Sequence, residues 1–158
     1  MRTMGRTLRV LNVEDSEPDM ALITRQLKVA GFDPRSDRVE TAAALQAALA
    51  SREWDVILCD YSMPQFNALA ALALVKKMKV DIPFIIISGT IGEAAAVEAM
   101  RAGAQDYLMK DNLVRLGPAI DRELQESANR HARWKAEGAQ RAWSFVIAGC
   151  LKARRTAS

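Results

Sequence analysis

Histidine and cysteine are nearly missing from this chain: one His and two Cys in 158 residues. Lone His131 stands in Asn129-Arg130-His131-Ala132-Arg133-Trp134-Lys135, which matches no phosphohistidine motif, so a surface or helix-packing role is expected. Cys59 and Cys150 have neither metal-ligand spacing nor a disulfide framework, and reduced thiols are the expectation. Long apolar runs are absent too. The strongly apolar stretch near the end, Ala142 to Leu151, is ten residues interrupted by Ser144 and Gly149. A membrane-spanning helix needs about twenty. The first residues lack the apolar core and cleavage site of a secretory signal. These absences predict a cytoplasmic protein without a membrane span.

What is present is a globular composition, 50% hydrophobic and 26% charged. The net charge of +3 suggests an anionic partner until it is divided along the chain. Residues 1–127 hold 15 Lys and Arg against 18 Asp and Glu, a net −3. Residues 128–158 hold seven basic residues and only Glu137 as an acid, a net +6. An acidic body and a basic, partly apolar tail are therefore separate problems.

Short apolar runs alternate with helical periodicity along the body. Leu8–Val13, Asp33–Val39, Val56–Cys59, Phe84–Ile87 and Asp106–Met109 read as strands. Pro34 argues for an edge position for the second. Helices are expected after each. Ser16 caps the first, Pro18 suits its first turn and Gly31 its end; Met20, Ile23, Leu27 and Ala30 share a face. Thr41 caps the second helix, Asn67 to Met78 holds the third, and Glu93–Ala102 is closed by Gly103. Leu113, Leu116, Ile120 and Leu124 mark the last. Alternating strands and helices predict an α/β, doubly wound parallel sheet, and such sheets bind ligands beyond the carboxyl ends of their strands.

Those ends carry Glu14 and Asp15, Asp60, Ser88 and Lys110. Three carboxylates close together need a shared proton or a cation among them. Hard oxygen donors, with no His or Cys among them, favour Mg²⁺. Lys110 and the Ser88 hydroxyl supply donors suited to phosphoryl oxygens. A carboxylate so placed can act as nucleophile toward a phosphoryl donor.

Four stretches carry a family resemblance: Val13-Glu14-Asp15-Ser16, Leu58-Cys59-Asp60-Tyr61-Ser62-Met63-Pro64, Ile86-Ile87-Ser88-Gly89-Thr90 and Ala102-Gly103-Ala104-Gln105-Asp106-Tyr107-Leu108-Met109-Lys110. The sequence resembles a response-regulator receiver domain over residues 7–127, followed by an extension at 128–158. The resemblance implies a flavodoxin-like five-stranded sheet of order 2-1-3-4-5, with helices on both faces and a C-terminal helical extension. It implies Asp60 as phosphoacceptor, taking the group from a histidine kinase or phosphotransfer protein. Asp15, Asp60 and the Ser62 main-chain carbonyl would hold Mg²⁺, with Glu14 acting through a water. Lys110 and Ser88 would bind the phosphoryl oxygens, and Ser88 and Tyr107 would form the switch. Gly89 and Thr90 flank the phosphoryl site. Neither Ser62 nor Thr90 offers a carboxylate or carboxamide to position water, so a moderately long-lived phosphoryl group is expected. The implied role is signalling through protein contacts, not turnover catalysis.

Two positions depart from the family pattern. Asp111 and Asn112 follow the lysine where most receivers have proline; a trans peptide is expected there, with one of the two capping the last helix. The Lys110-Asp111-Asn112-Leu113 form resembles receivers found with sensory histidine kinases, which leaves a receiver module of a hybrid kinase system as an alternative. Ala68 stands where many receivers carry glycine. Readings of another class are a flavodoxin-like small-molecule binder and a Mg²⁺-dependent phosphatase. The first needs phosphate-cradling glycines where Glu14 and Asp15 stand; the second needs an acid/base carboxylate where Ser62 stands. In the tail, Trp143, Phe145, Val146, Ile147 and Leu151 can pack locally, pair two chains into a homodimer or meet a partner. Nucleic acid is not expected, because no reading module accompanies the charge.

Overall fold

A computed structural model of the chain describes residues 5–61, 63, 66–89, 93–130, 132, 133 and 136. The apolar runs become the sheet: β1 (Arg6–Val13), β2 (Phe32–Val39), β3 (Val56–Asp60), β4 (Phe84–Ser88) and β5 (Asp106–Met109). All pairings are parallel, in the order β2-β1-β3-β4-β5. The helices α1 (Glu17–Val29), α2 (Ala42–Ser51), α3 (Ala68–Lys77) and α4 (Glu93–Ala102) lie between strands, and residues 116–130 are helical (α5) after a 3₁₀ turn at Leu113–Arg115.

Every residue of β3 and β4 is buried, as expected of strands covered on both faces. β2 is an edge strand, which accommodates Pro34. Side chains alternate between two cores. Leu8 and Val10, Val56 and Leu58, Ile85 and Ile87, and Leu108 pack with Ile23 and Leu27 of α1 and with Leu116, Ala119 and Ile120 of α5. Leu11, Val13, Ile57, Cys59, Phe84 and Ile86 pack on the other face with Leu45, Leu72, Val75 and Ala99 of α2, α3 and α4. Each large aliphatic side chain buried this way contributes about 1.5–3 kcal/mol.

The helix starts follow the sequence. Ser16, Thr41 and Asn67 accept hydrogen bonds from the backbone N–H groups of Asp19, Ala44 and Ala70. Gly31, at φ +96°, and Gly103, at φ +110°, take the left-handed turns that follow α1 and α4. Two expectations fail locally. Ala30 is exposed, because it is the C-cap of α1 rather than part of its buried face. Asn112 stands before the 3₁₀ turn, yet its side chain makes no capping hydrogen bond, and the turn is tightened by backbone bonding instead. No peptide bond among the described residues is cis.

Contacts divide the chain between Leu124 and Gln125. In the second unit the described residues are helical, and the tail residues His131, Trp143, Phe145, Val146, Ile147 and Leu151 lie outside the described set. No helix among the described residues is long and apolar enough to cross a membrane.

Candidate functional site

Parallel pairing brings the strand ends to one rim. Val13 lies beside Cys59, Asp60 beside Ile87, and Ser88 beside Met109. Glu14, one residue beyond β1, is therefore level with Asp60 at the end of β3. Lys110, one residue beyond β5, is level with Gly89, and the Lys110 N–H donates to the Ser88 carbonyl at 2.8 Å.

The backbone locks Glu14 in place. Its N–H donates to the Val39 carbonyl at 3.0 Å, and its carbonyl accepts from Arg38 Nη1 at 3.3 Å. Its Oε1 accepts from the Ser16 N–H at 3.2 Å. Glu14 and Asp60 are buried, at 2% and 7% exposure, while Asp15 is exposed. One carboxylate oxygen from each of Glu14, Asp15 and Asp60 lies within 4.8 Å of the others. Lys110 Nζ stands 3.5 Å from Asp60 Oδ2, 3.3 Å from Glu14 Oε2 and 2.6 Å from Asp19 Oδ2.

This crowding has an electrostatic signature. Burial pushes the Glu14 carboxyl up to about 7; the negative charge of Asp60 adds to the rise and Lys110 opposes it. Burial disfavours the charged form of Lys110, but the hydrogen bond to Asp19 and the charges of Glu14, Asp60 and Asp19 more than reverse that, and its pKa is raised. Burial, then the charges of Asp60 and Glu14, push the Cys59 thiol well up. Its Sγ–H faces the Asp60 carbonyl at 3.4 Å, so Cys59 is a packing thiol rather than a reactive one.

The donor set fits a hard divalent cation. Three carboxylates converge, and the buried Oε2 of Glu14 lacks a well-formed hydrogen bond although Lys110 is near. The amide of Asn12, two residues earlier on β1, is likewise buried without a hydrogen-bond partner. The unsatisfied Glu14 oxygen, itself part of the acidic cluster, is what a further ligand would complete.

Ser88 is fully buried at the end of β4. Gly89 is exposed; a Cβ there would meet only Lys110 Cδ, at 3.8 Å. Tyr107 is half-buried, its ring centroid 6.0 Å from that of Tyr61 at 60°, and its buried hydroxyl makes no hydrogen bond. Ser62 and Thr90 lie outside the described residues. Asp19 and Arg38 were not legible as site residues. Asp19 reads in the sequence as an ordinary first-turn acid of α1, and Arg38 as one polar residue of an edge strand.

A family model for the response regulator receiver domain matches residues 10–120. Transcriptional regulatory protein PrrA of Mycobacterium bovis is 32% identical over 102 residues, covering 65% of this chain and 43% of PrrA. The chain thus spans less than half of that relative. Chemotaxis protein CheY1 of Helicobacter pylori is 29% identical over 108 residues, 65% of this chain and 85% of CheY1. Among solved structures, a response regulator receiver domain protein from Clostridium thermocellum superposes with a TM-score of 0.66 at 22% identity, covering 77% of this chain and 97% of that one. By the match over residues 10–120, this chain belongs to the response regulator receiver domain family.

Proposed function

We propose that the protein accepts a phosphoryl group on Asp60 from the phosphohistidine of a histidine kinase or phosphotransfer protein, with residues 7–127 as the working body and 128–158 as an extension. The observation that carries this reading is the convergence of Glu14, Asp15 and Asp60 within 4.8 Å, with Lys110 Nζ 3.5 Å from Asp60. Asp60 is the acceptor because it is the carboxylate that the end of β3 holds rigidly between Glu14 and Lys110. Asp15, Asp60 and the Ser62 carbonyl would hold Mg²⁺, with Glu14 through a water. The ion would supply neutralisation of the charge on the incoming phosphoryl oxygens.

In the transfer, an Asp60 carboxylate oxygen attacks phosphorus, the phosphorus–nitrogen bond breaks, and the departing imidazole keeps the electron pair and takes up a proton. Lys110 then pairs with a phosphoryl oxygen, and the Ser88 hydroxyl donates to another. Phosphorylation raises the local charge from about −1 toward −2 and adds acceptors. That difference favours the arrangement with Ser88 and Lys110 drawn in, and Tyr107 follows, altering a protein-binding surface. Gly89 and Thr90 leave the phosphoryl group accessible. The output is a contact, not a turnover reaction, and the protein acts in the cytoplasm. A phosphatase or small-molecule binder fits less well, with Ser62 two residues beyond Asp60 and acids rather than glycines after β1.

Beryllofluoride, a phosphoryl mimic, tests the assignment. With Mg²⁺ it should perturb the amide spectra of residues around Ser88 and Tyr107 in the wild type and leave Asp60→Asn unchanged. An equal perturbation in Asp60→Asn would overturn it.

A further inference from the structure

The first turn of α1 departs from the usual capping arrangement in a way that bears on Lys110. In a capping box, the N-cap side chain accepts from the third residue's N–H, and the acid at that third position returns to the N-cap N–H. Here the first half is present: Ser16 Oγ accepts from the Asp19 N–H at 3.3 Å. The second half is taken by another residue, because the Ser16 N–H donates to Glu14 Oε1 at 3.2 Å. Asp19 is released from capping, and its Oδ2 lies 2.6 Å from Lys110 Nζ, across 91 positions of sequence. Of the three carboxylates around that ammonium, Asp19 holds it most closely, at 2.6 Å against 3.3 Å for Glu14 and 3.5 Å for Asp60. An ammonium has three N–H donors, and three carboxylates are there to take them.

We propose that Asp19 is a positioning residue that takes the shortest contact with Lys110 in the unphosphorylated protein, so that a phosphoryl group on Asp60 must compete with it for the lysine. This rests on the reading of Asp60 as phosphoacceptor. The tether has two consequences of opposite sign. By sharing the ammonium, Asp19 reduces its competition with a cation for Glu14 and Asp60. By the same contact it opposes the movement of Lys110 onto a phosphoryl oxygen. A ligand shifts such an equilibrium only by what it gains in one arrangement over the other. Asp19 is about one-third exposed, so the effect is modest and screened by salt.

The test uses the full chain and two variants, Asp19→Asn and Asp19→Glu. Asp19→Asn should weaken Mg²⁺ binding on the order of threefold and, at saturating Mg²⁺, tighten beryllofluoride binding by a similar factor. Asp19→Glu, which keeps the charge, should return both toward wild type. The side-chain ammonium resonance of Lys110 should shift in Asp19→Asn alone. A structural role for Asp19 would move both affinities the same way, and that result, or no change in either, would overturn the tether. If the wild type itself fails to bind beryllofluoride, the phosphoacceptor reading falls and the tether with it. If the wild type binds and Asp19→Asn is indistinguishable from it, only the tether falls.

Discussion

The two ends of the sheet are both lined with charge, but they are built differently. At the amino ends of the strands, Arg6 pairs with Asp121, Arg9 with Asp55 at 3.0 Å, and Arg122 with Asp106 at 3.0 Å. The arginines there are about half exposed or more, and each has an acid of its own. At the carboxyl ends, Glu14, Asp15, Asp19 and Asp60 gather around Lys110, with Glu14 and Asp60 buried. At the first rim Arg122 also reaches buried Glu123 at 3.7 Å, but the pairs of Arg6 and Arg9 are exposed enough that water would hold their charges nearly as well. The second has more buried negative charge than its lysine balances. Charge alone therefore does not mark a site; burial combined with imbalance does.

The largest separation between the rims should come from Lys110→Ala. It leaves Glu14 and Asp60 buried without the ammonium, and at pH 8 without divalent cation it should destabilise the protein by about 3 kcal/mol. Mg²⁺ should recover much of that loss and bind more tightly than to wild type. Denaturant melts with and without Mg²⁺ check this, and a loss that Mg²⁺ leaves untouched would contradict the account.

Next in size is the pH response of the carboxyl rim. Glu14 has an ordinary value of 4.5 and is raised to about 7 in the folded protein. Between those values the native state binds more protons than the unfolded chain, so stability without metal falls as pH rises through that window. A cation needs the carboxylate, so Mg²⁺ affinity runs the other way, increasing about tenfold from pH 6 to pH 8. Calorimetry in two buffers of different ionisation enthalpy would detect the proton released on binding near pH 6.5. Glu14→Gln should flatten that dependence.

The smallest effect belongs to the amino rim. Arg6→Ala should cost at most about 1 kcal/mol, less in high salt, with no change in Mg²⁺ affinity. A larger loss, or any change at the carboxyl rim, would erase the contrast.

The centre of the sheet was readable in the sequence because β3 and β4 are buried on both faces. Val56–Asp60 and Phe84–Ser88 cannot be mistaken for amphipathic helices when every position is apolar up to the terminal Asp or Ser. Cap and terminator chemistry at Ser16, Thr41, Asn67, Gly31 and Gly103 fixed the helix limits. The carboxylates were readable because strand-end positions in a parallel sheet meet by topology. The Asp19 to Lys110 contact was not, since it depends on which acceptor takes one N–H of Ser16. Local patterns carry no information about that choice, because Glu14 and Asp19 are both plausible partners within five residues. The missing cap bond at Asn112 is a similar case: residue type favours capping, but the side chain makes no such hydrogen bond before the 3₁₀ turn.

The central claim is that the incomplete rim is completed by a phosphoryl group on Asp60. Treatment with acetyl phosphate and Mg²⁺, borohydride trapping of any acyl phosphate, and peptide sequencing by mass spectrometry address it directly. The account predicts one trapped position, Asp60, dependent on Mg²⁺ and sharply reduced in Lys110→Ala. Trapping at Asp15, at Glu14 or nowhere in the wild type would contradict it.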